Sequence, residues 1–175
     1  MTAEQLRKSI LQYAIQGKLV PQIETEEPAK ELLKKIKEEK EKLIKEGKIR
    51  KEKSLPEITE NDIPFEIPSS WVWVRLGFIG DWRSGSTPIR DNPLFYKNGT
   101  IPWLKTGDLN DGYITYIPEN ITELALTKTS VRLNPIGSIL IAMYGATIGK
   151  LGILTFEATT NQACCACFPI NGIYN

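Results

Sequence analysis

The fold is decided by residues 137–156, which read GSILIAMYGATIGKLGILTF. Two short apolar runs, 138–144 and 151–156, lie on either side of a glycine-rich connection, and runs of this composition favour strands. Four other runs are similar and are bounded by Gly, Pro, Asn or Asp; they are 71–76, 101–104, 113–117 and 163–168. The pattern therefore predicts six short strands.

Turns, rather than a regular series of helices, join the predicted strands. Asn110-Asp111-Gly112 predicts a hairpin turn, because Asp-Gly readily supplies the positive φ angles of a tight turn. A short helix is expected over 122–126. Because strands and helices do not alternate, the pattern favours an α+β fold with mixed or antiparallel pairing over a nucleotide-binding fold.

Two helices precede the predicted strands. Thr2 and Gln5 match a capping box at the start of the first helix, and Gly17 ends it. The second helix begins near Pro28 and stops at Gly47, and its narrow apolar stripe is surrounded by Lys and Glu. This helical hairpin needs another surface to cover its stripes. Two interpretations are open: it folds back on the following domain, or it is a coiled-coil-like strut that seeks further helices.

Prolines mark the domain boundary. Pro56, Pro64 and Pro68 each disfavour a regular helix or an interior strand. We therefore expect three segments, which are a helical hairpin at 1–47, a proline-containing linker at 48–70 and a β-rich domain at 71–175.

Composition and charge indicate a globular protein but do not indicate which ligand it binds. The chain of 175 residues is 41% hydrophobic and 25% charged, which is typical of a globular protein. No apolar run reaches the roughly 20 residues that cross a bilayer, and the N-terminus lacks the pattern of a secretory signal, so we expect no membrane association and a cytoplasmic location. Residues 1–55 carry a net charge of +4 and residues 56–175 carry −3. Overall charge therefore does not indicate nucleic acid, although phosphate contacts need only a local cluster of Lys and Arg.

Metal and catalytic chemistry find little support in the residue types. The chain has no histidine, and its three cysteines, Cys164, Cys165 and Cys167, fall in one predicted strand, where a buried role is expected rather than a zinc site. Without histidine the common acid–base partnerships are missing. Asp108 and Asp111 flank a predicted turn, where Asp is favoured for local hydrogen bonding.

Two degenerate motifs also point away from catalysis. Residues 145–150, GATIGK, have three residues between the glycines and Leu151 after the lysine, whereas a nucleotide-binding loop needs four and then Ser or Thr. We expect either a tight strand connection or a loop that faces DNA through Lys150. Asn134-Pro135-Ile136-Gly137 lacks the second proline and the aromatic residue of an adenine methyltransferase motif.

Several segments taken in order resemble a known family. They are 71–77 (WVWVRLG), 84–88 (SGSTP), 101–109 (IPWLKTGDL), 137–150 (GSILIAMYGATIGK) and 160–163 (TNQA), with 6–20 (LRKSILQYAIQGKLV) at the front. Together they resemble the N-terminal portion of the specificity subunit of a type I restriction-modification system, including its first target-recognition domain. The sequence ends at Asn175, soon after 160–163, so by this resemblance we expect a recognition domain that is truncated at its C-terminus.

The resemblance implies a division of labour between subunits. The specificity subunit reads double-stranded DNA, a methyltransferase subunit modifies adenine, and a restriction subunit translocates and cuts. It implies no cofactor for this chain, because S-adenosylmethionine, ATP and magnesium belong to the partner subunits, and no catalysis by the chain itself. The alternative is a specificity-like protein that binds the methyltransferase subunit without reading DNA.

Within this resemblance, side-chain chemistry selects candidate DNA contacts. Long basic side chains suit phosphates, and Ser, Thr, Asn and Gln suit base edges. The phosphate candidates are Arg83, Arg90, Lys97, Lys105 and Lys150, and the other candidates are Ser86, Thr87, Thr147, Asn161 and Gln162. Trp71, Trp73 and Trp103 are expected to pack in the core.

Overall fold

Capping chemistry sets the start of the first helix, α1 (Ala3–Ile15), as the sequence predicts. The Thr2 hydroxyl accepts a hydrogen bond from the Gln5 backbone N–H at 3.2 Å, and the Gln5 side chain accepts one from the Thr2 N–H at 2.8 Å. Gly17, at φ +66°, follows the helix. The second helix, α2 (Ala29–Lys45), is capped by Pro28 and followed by Gly47 at φ +71°.

The computed structural model describes residues 1–23, 25–51 and 53–170, which form two compact units. Unit 1 comprises Met1–Ile79 with Ile170, and unit 2 comprises Gly80–Pro169. The predicted linker at 48–70 belongs to unit 1, and so does the front of the β-rich domain predicted at 71–175. Residues 171–175 of that predicted domain lie outside the described residues.

Unit 1 covers α2 but leaves α1 exposed. Ile36 is the buried residue of α2, whereas α1 buries none of its residues. The Ala29 N–H donates to the Ser70 carbonyl at 2.9 Å, and the Lys40 ammonium donates to the Gly77 carbonyl at 2.7 Å. Helix α2 therefore packs on the segment that ends in the short helix α3 (Leu76–Ile79).

The first predicted strand, 71–76, is not a strand. Trp73 packs edge-on against Phe65 with ring centroids 5.1 Å apart, and the Arg75 guanidinium donates to the Glu57 carbonyl at 3.0 Å. These contacts with the proline-containing segment replace a strand ladder, so the alternation of Trp and Val reflects irregular packing. Trp71 is 41% exposed and Trp73 is half-buried, so the expectation of core packing is wrong for Trp71.

Unit 2 holds a mixed five-stranded sheet, which confirms the α+β prediction. Neighbouring strands are antiparallel except for the last pair, which is parallel. In spatial order the strands are β1 (Gly80–Ser84), β8 (Cys164–Pro169), β5 (Ile139–Ala142), β6 (Leu151–Leu154) and β3 (Gly112–Ile114). Predicted strands therefore account for four of these five, and β1 follows the segment where the first strand was expected.

A smaller sheet completes unit 2. Strand β2 (Ile101–Leu104) pairs antiparallel with β4 (Asn120–Ile121) and parallel with β7 (Thr159–Thr160). The predicted short helix is present as α4 (Glu123–Lys128), whose N-cap Thr122 accepts from the Ala125 N–H at 3.2 Å.

The turn at 110–112 forms as predicted but does not make a hairpin. Asp111 adopts φ +60°, yet β3 pairs in parallel with β6 rather than with the strand before it. The Asp111 N–H donates to the Leu151 carbonyl, and the Leu151 N–H donates to the Asp111 carboxylate, both at 2.9 Å. The prediction of a hairpin is therefore wrong, because this long-range pairing holds the turn against β6.

Two apolar clusters form the core of unit 2. One gathers residues of the larger sheet around Leu140 and Leu154, and the other packs α4 against Trp103, which is 1% exposed as predicted. Cys164 is fully buried in the first cluster, and burial raises the pKa of its thiol to about 12. Its buried position on a strand matches the sequence-based expectation.

Candidate nucleic-acid interface

Backbone hydrogen bonds lock two loops of unit 2 together. The Ser86 N–H donates to the Thr160 carbonyl at 2.9 Å, and the Gly85 N–H donates to the Cys164 carbonyl at 3.1 Å. The Asn161 N–H in turn donates to the Leu104 carbonyl at 2.9 Å. Residues 84–88 and 160–162, here called the polar loop pair, are therefore fixed at the ends of their strands.

The polar loop pair brings together four of the five polar candidates that the sequence selects, all except Thr147. The Thr87 hydroxyl donates to the Gln162 side-chain carbonyl, and both residues are exposed. The Ser86 hydroxyl accepts from the Ser130 hydroxyl at 2.9 Å. The Asn161 side-chain oxygen is buried and has no hydrogen-bond partner among the described residues. Thr87 and Gln162 thus offer the accessible donors and acceptors of this surface.

Tyr96 and Trp103 hold the polar loop pair through hydrogen bonds, a role that the sequence does not indicate. The Trp103 indole N–H donates to the Ser86 carbonyl at 3.0 Å, and the Tyr96 hydroxyl donates to the Pro88 carbonyl at 2.6 Å. Their rings contact each other edge-on at 6.3 Å. A tryptophan next to a proline on a strand indicated burial, but nothing local indicated which carbonyl its N–H would reach.

Arg90, Lys105 and Glu119 form a charge cluster, in which Arg90 lies over the same two rings. The Arg90 guanidinium pairs with the Glu119 carboxylate, and the Lys105 ammonium lies 2.8 Å from it. The Arg90 side chain lies over both rings, with its central carbon 4.4 Å from the Trp103 centroid and 4.8 Å from that of Tyr96. Stacking of a cation on aromatic faces is favourable and restricts the side chain.

Glu119 is ionised in this arrangement. Its hydrogen bond with Arg90 lowers the pKa of the carboxyl group, and Lys105 lowers it further, while partial burial acts in the opposite direction. The same hydrogen bond raises the pKa of Arg90. Arg90 and Lys105 are candidates from residue type alone, whereas Glu119 follows a proline and carries no local signal of its partners.

The other candidate residues are not brought into this surface by any described contact. Arg83 pairs with Asp81 on β1. Lys97 and Lys150 are exposed, and their side chains form no ion pair with the described residues. Thr147 is half-buried, and its backbone carbonyl accepts from the Lys150 N–H at 3.0 Å.

Residues 143–150, here called the glycine hairpin, connect two antiparallel strands. Gly145 and Gly149 have φ angles of +89° and +82°, and the Gly149 N–H donates to the Ala142 carbonyl at 2.9 Å. A nucleotide-binding loop leads instead from a strand into a helix. The glycines therefore serve a tight strand connection, and a contact of Lys150 with DNA stays a prediction.

The remaining candidates for other chemistry have local structural roles. The Asp108 carboxylate accepts from the Lys105 N–H at 2.8 Å, and Asp111 accepts from the Leu151 N–H, as described above. Within residues 1–23, 25–51 and 53–170, no three His, Cys, Asp or Glu side chains are grouped so that they could hold a metal ion. No helix among these residues is long and apolar enough to span a membrane.

The fold and this surface define a mixed-sheet α+β domain that presents polar loop side chains and basic residues on one unit. Residues 68–175 match the family model of the type I restriction modification DNA specificity domain, and the chain belongs to this family. The matched range contains the whole of unit 2 and therefore both the polar loop pair and the charge cluster.

Characterised relatives carry the same assignment. The chain is 51% identical over 84 residues to the specificity subunit of the type I restriction enzyme EcoAI from Escherichia coli, which covers 48% of this chain and 14% of that protein. It is 36% identical over 123 residues to the MjaIX specificity subunit from Methanocaldococcus jannaschii, covering 67% and 27%. The chain thus spans a small part of the relatives it matches.

A solved structure of the HsdS subunit from Thermoanaerobacter tengcongensis also aligns with this chain. The alignment covers 97% of this chain and 35% of that one, at 16% identity and a TM-score of 0.48.

Proposed function

We propose that this chain is a DNA-recognition component of a type I restriction-modification complex and has no catalytic activity of its own. The observation that carries the proposal is the family match over 68–175, which includes the polar loop pair. The relatives are named specificity subunits of restriction enzymes. By this proposal the chain directs a methyltransferase subunit and a restriction subunit to a DNA site in the cytoplasm.

The geometry of unit 2 suits separate roles for positioning and for reading. Amide and hydroxyl groups such as those of Gln162 and Thr87 can donate to and accept from base edges in the major groove. Exposed lysines such as Lys97 and Lys150 can contact phosphates, which positions a protein without reading sequence. Sequence-specific binding requires groups of both kinds, and unit 2 carries both.

Catalysis and cofactors belong to the partners in this proposal. The methyltransferase subunit supplies S-adenosylmethionine chemistry, and the restriction subunit supplies ATP and magnesium chemistry. This chain contributes recognition of the DNA site, because its accessible side chains offer hydrogen bonds and charge rather than a nucleophile with a base.

The test is a binding measurement with the full chain and its partner methyltransferase. A duplex selected from a random library is titrated against a duplex of mixed sequence, at salt concentrations from about 50 to 200 mM. We expect a preference for the selected duplex and a steep loss of affinity with salt, because phosphate contacts release counterions. If the chain co-purifies with the methyltransferase but retains no duplex, the result supports the alternative, a specificity-like protein that binds the methyltransferase subunit without reading DNA.

A further inference from the structure

Glu119 pairs with two basic residues at once. Its two carboxylate oxygens are shared between Arg90, with the second contact at 3.4 Å, and Lys105 at 2.8 Å. The side chains of Arg90 and Lys105 remain 46% and 42% exposed, whereas that of Glu119 is 25% exposed. The two cations are therefore more exposed to solvent than the carboxylate that pairs with them.

The charge cluster and the polar loop pair share one support. Trp103 donates its indole N–H to Ser86, and the same ring lies under the Arg90 guanidinium. Tyr96 likewise bonds the Pro88 carbonyl and lies beside Arg90. A duplex that reaches Thr87 and Gln162 through the loop pair therefore comes close to Arg90.

The low net charge of unit 2 makes the pairing of Glu119 with Arg90 and Lys105 important for phosphate binding. Between Gly80 and Pro169 the sequence contains seven basic and seven acidic side chains, so the net charge of the unit is zero. Arg90 and Lys105 are two of those seven basic residues. With Glu119 ionised, the cluster carries +1 rather than +2, and a phosphate that binds either cation must also approach a carboxylate.

Phosphate contacts supply affinity that is independent of sequence. Contacts common to both complexes change both affinities by the same factor, so a residue raises specificity only where the two complexes differ. Base contacts fix the position of the duplex in a specific complex, whereas a non-specific complex can shift to bring phosphates to nearby cations, and a carboxylate beside those cations makes that shift less favourable. Specificity is a difference between affinities, so a feature that weakens the wrong complex raises it.

We propose that Glu119 is a specificity-determining residue, which holds Arg90 and Lys105 back from the DNA backbone so that tight binding depends on base contacts made by the polar loop pair. This inference rests on the proposed function. Glu119 acts through the two cations and is therefore a positioning residue.

The test compares Glu119→Gln with the wild-type chain under the conditions described above. The substitution removes the charge at nearly constant volume, and the backbone bond from the Trp103 N–H to the Glu119 carbonyl, at 2.8 Å, does not depend on it. Glu157→Gln is the matched control, because Glu157 is exposed and forms no ion pair with the described residues. A third variant adds Arg90→Gln and Lys105→Gln to Glu119→Gln.

We expect Glu119→Gln to make the plot of log affinity against log salt steeper by about 0.9 to 1.8, which corresponds to one or two added phosphate contacts. Binding to the mixed-sequence duplex should tighten by roughly five- to tenfold at low salt, and binding to the selected duplex by less. Glu157→Gln should change the slope little, and the triple variant should lose the gain.

The outcomes separate the two proposals. An unchanged slope in Glu119→Gln, or the same change in Glu157→Gln, overturns the role of Glu119 while leaving DNA recognition intact. If the wild-type chain retains no duplex, the proposed function itself fails. If thermal melting shows that Glu119→Gln does not fold, Lys105→Gln is measured in its place. An unchanged salt slope in Lys105→Gln supports the role of Glu119, and a decrease of the slope by about 0.9 contradicts it.

Discussion

The polar loop pair and the glycine hairpin both carry residues expected to contact DNA, but different forces hold them in place. Residues 84–88 and 160–162 are fixed by backbone bonds between the loops and by the indole of Trp103. The glycine hairpin relies on the positive φ angles of Gly145 and Gly149, and its tip is exposed. A rigid loop suits base readout, where geometry decides, whereas a lysine on an exposed hairpin suits phosphate, where charge decides.

The largest expected effect comes from filling the space between the two locked loops. A Cβ atom at Gly85 would overlap the backbone carbonyls of Thr160 and Asn161. Because backbone must move to relieve this overlap, Gly85→Ala should lower the free energy of unfolding by about 3 kcal/mol. Urea denaturation followed by tryptophan fluorescence measures the change.

Gly145→Ala in the glycine hairpin is the control for that substitution. Apart from its chain neighbours, no described residue has an atom within 4 Å of the added Cβ, so the cost is limited to the strain of φ +89°, about 1 kcal/mol. Equal losses in the two variants would remove the distinction between a locked and an open loop.

Removal of the indole N–H tests the support of the locked region. Trp103→Phe leaves the Ser86 carbonyl without its donor and creates a small cavity, so we expect a loss of about 2 kcal/mol in the free energy of unfolding. Trp71→Phe, at an exposed ring, should change stability by less than about 0.5 kcal/mol. A similar small change in both variants would show that Trp103 does not hold the loop.

Base readout by the polar loop pair predicts a loss that depends on sequence. Gln162→Ala should weaken binding to the selected duplex by about tenfold, the lower end of the value of one bidentate base contact, and should leave the mixed-sequence duplex unchanged. Anisotropy titration measures both affinities. Gln12→Ala, at an exposed amide on α1, is the control. If both duplexes are weakened equally, Gln162 does not read bases.

Local chemistry in the sequence was enough to predict most elements but not their pairing. The capping box at Thr2 and the short helix expected over 122–126 both form, and four of the six predicted strands supply the centres of both sheets. The parallel pair of β3 with β6 joins residues far apart in the chain, which no local pattern indicates. Strands β4 and β7 have two residues each, too few to show alternation.

In the candidate site, too, the residue types were predictable from the sequence, whereas their contacts were not. Thr87 and Gln162 were selected because of their side-chain chemistry, and the fold brings them together across 75 residues. Glu119 was missed because its partners Arg90 and Lys105 come from other segments, and only the tertiary structure brings the three side chains together. Side-chain type can therefore be read locally, whereas the neutralisation of one candidate by another depends on the fold.

The smallest expected effect belongs to the glycine hairpin. Lys150→Gln removes an exposed charge that no described carboxylate pairs, so stability should stay within about 0.5 kcal/mol of wild type. Affinity for the selected and mixed-sequence duplexes should fall by the same factor, and the salt slope should decrease by about 0.9, as expected for one lost phosphate contact. Lys18→Gln is the matched control, because Lys18 is exposed, belongs to unit 1 and forms no ion pair with the described residues. A loss at Lys150 confined to the selected duplex would mean that the hairpin reads bases, and the contrast between a reading loop and a positioning loop would no longer hold.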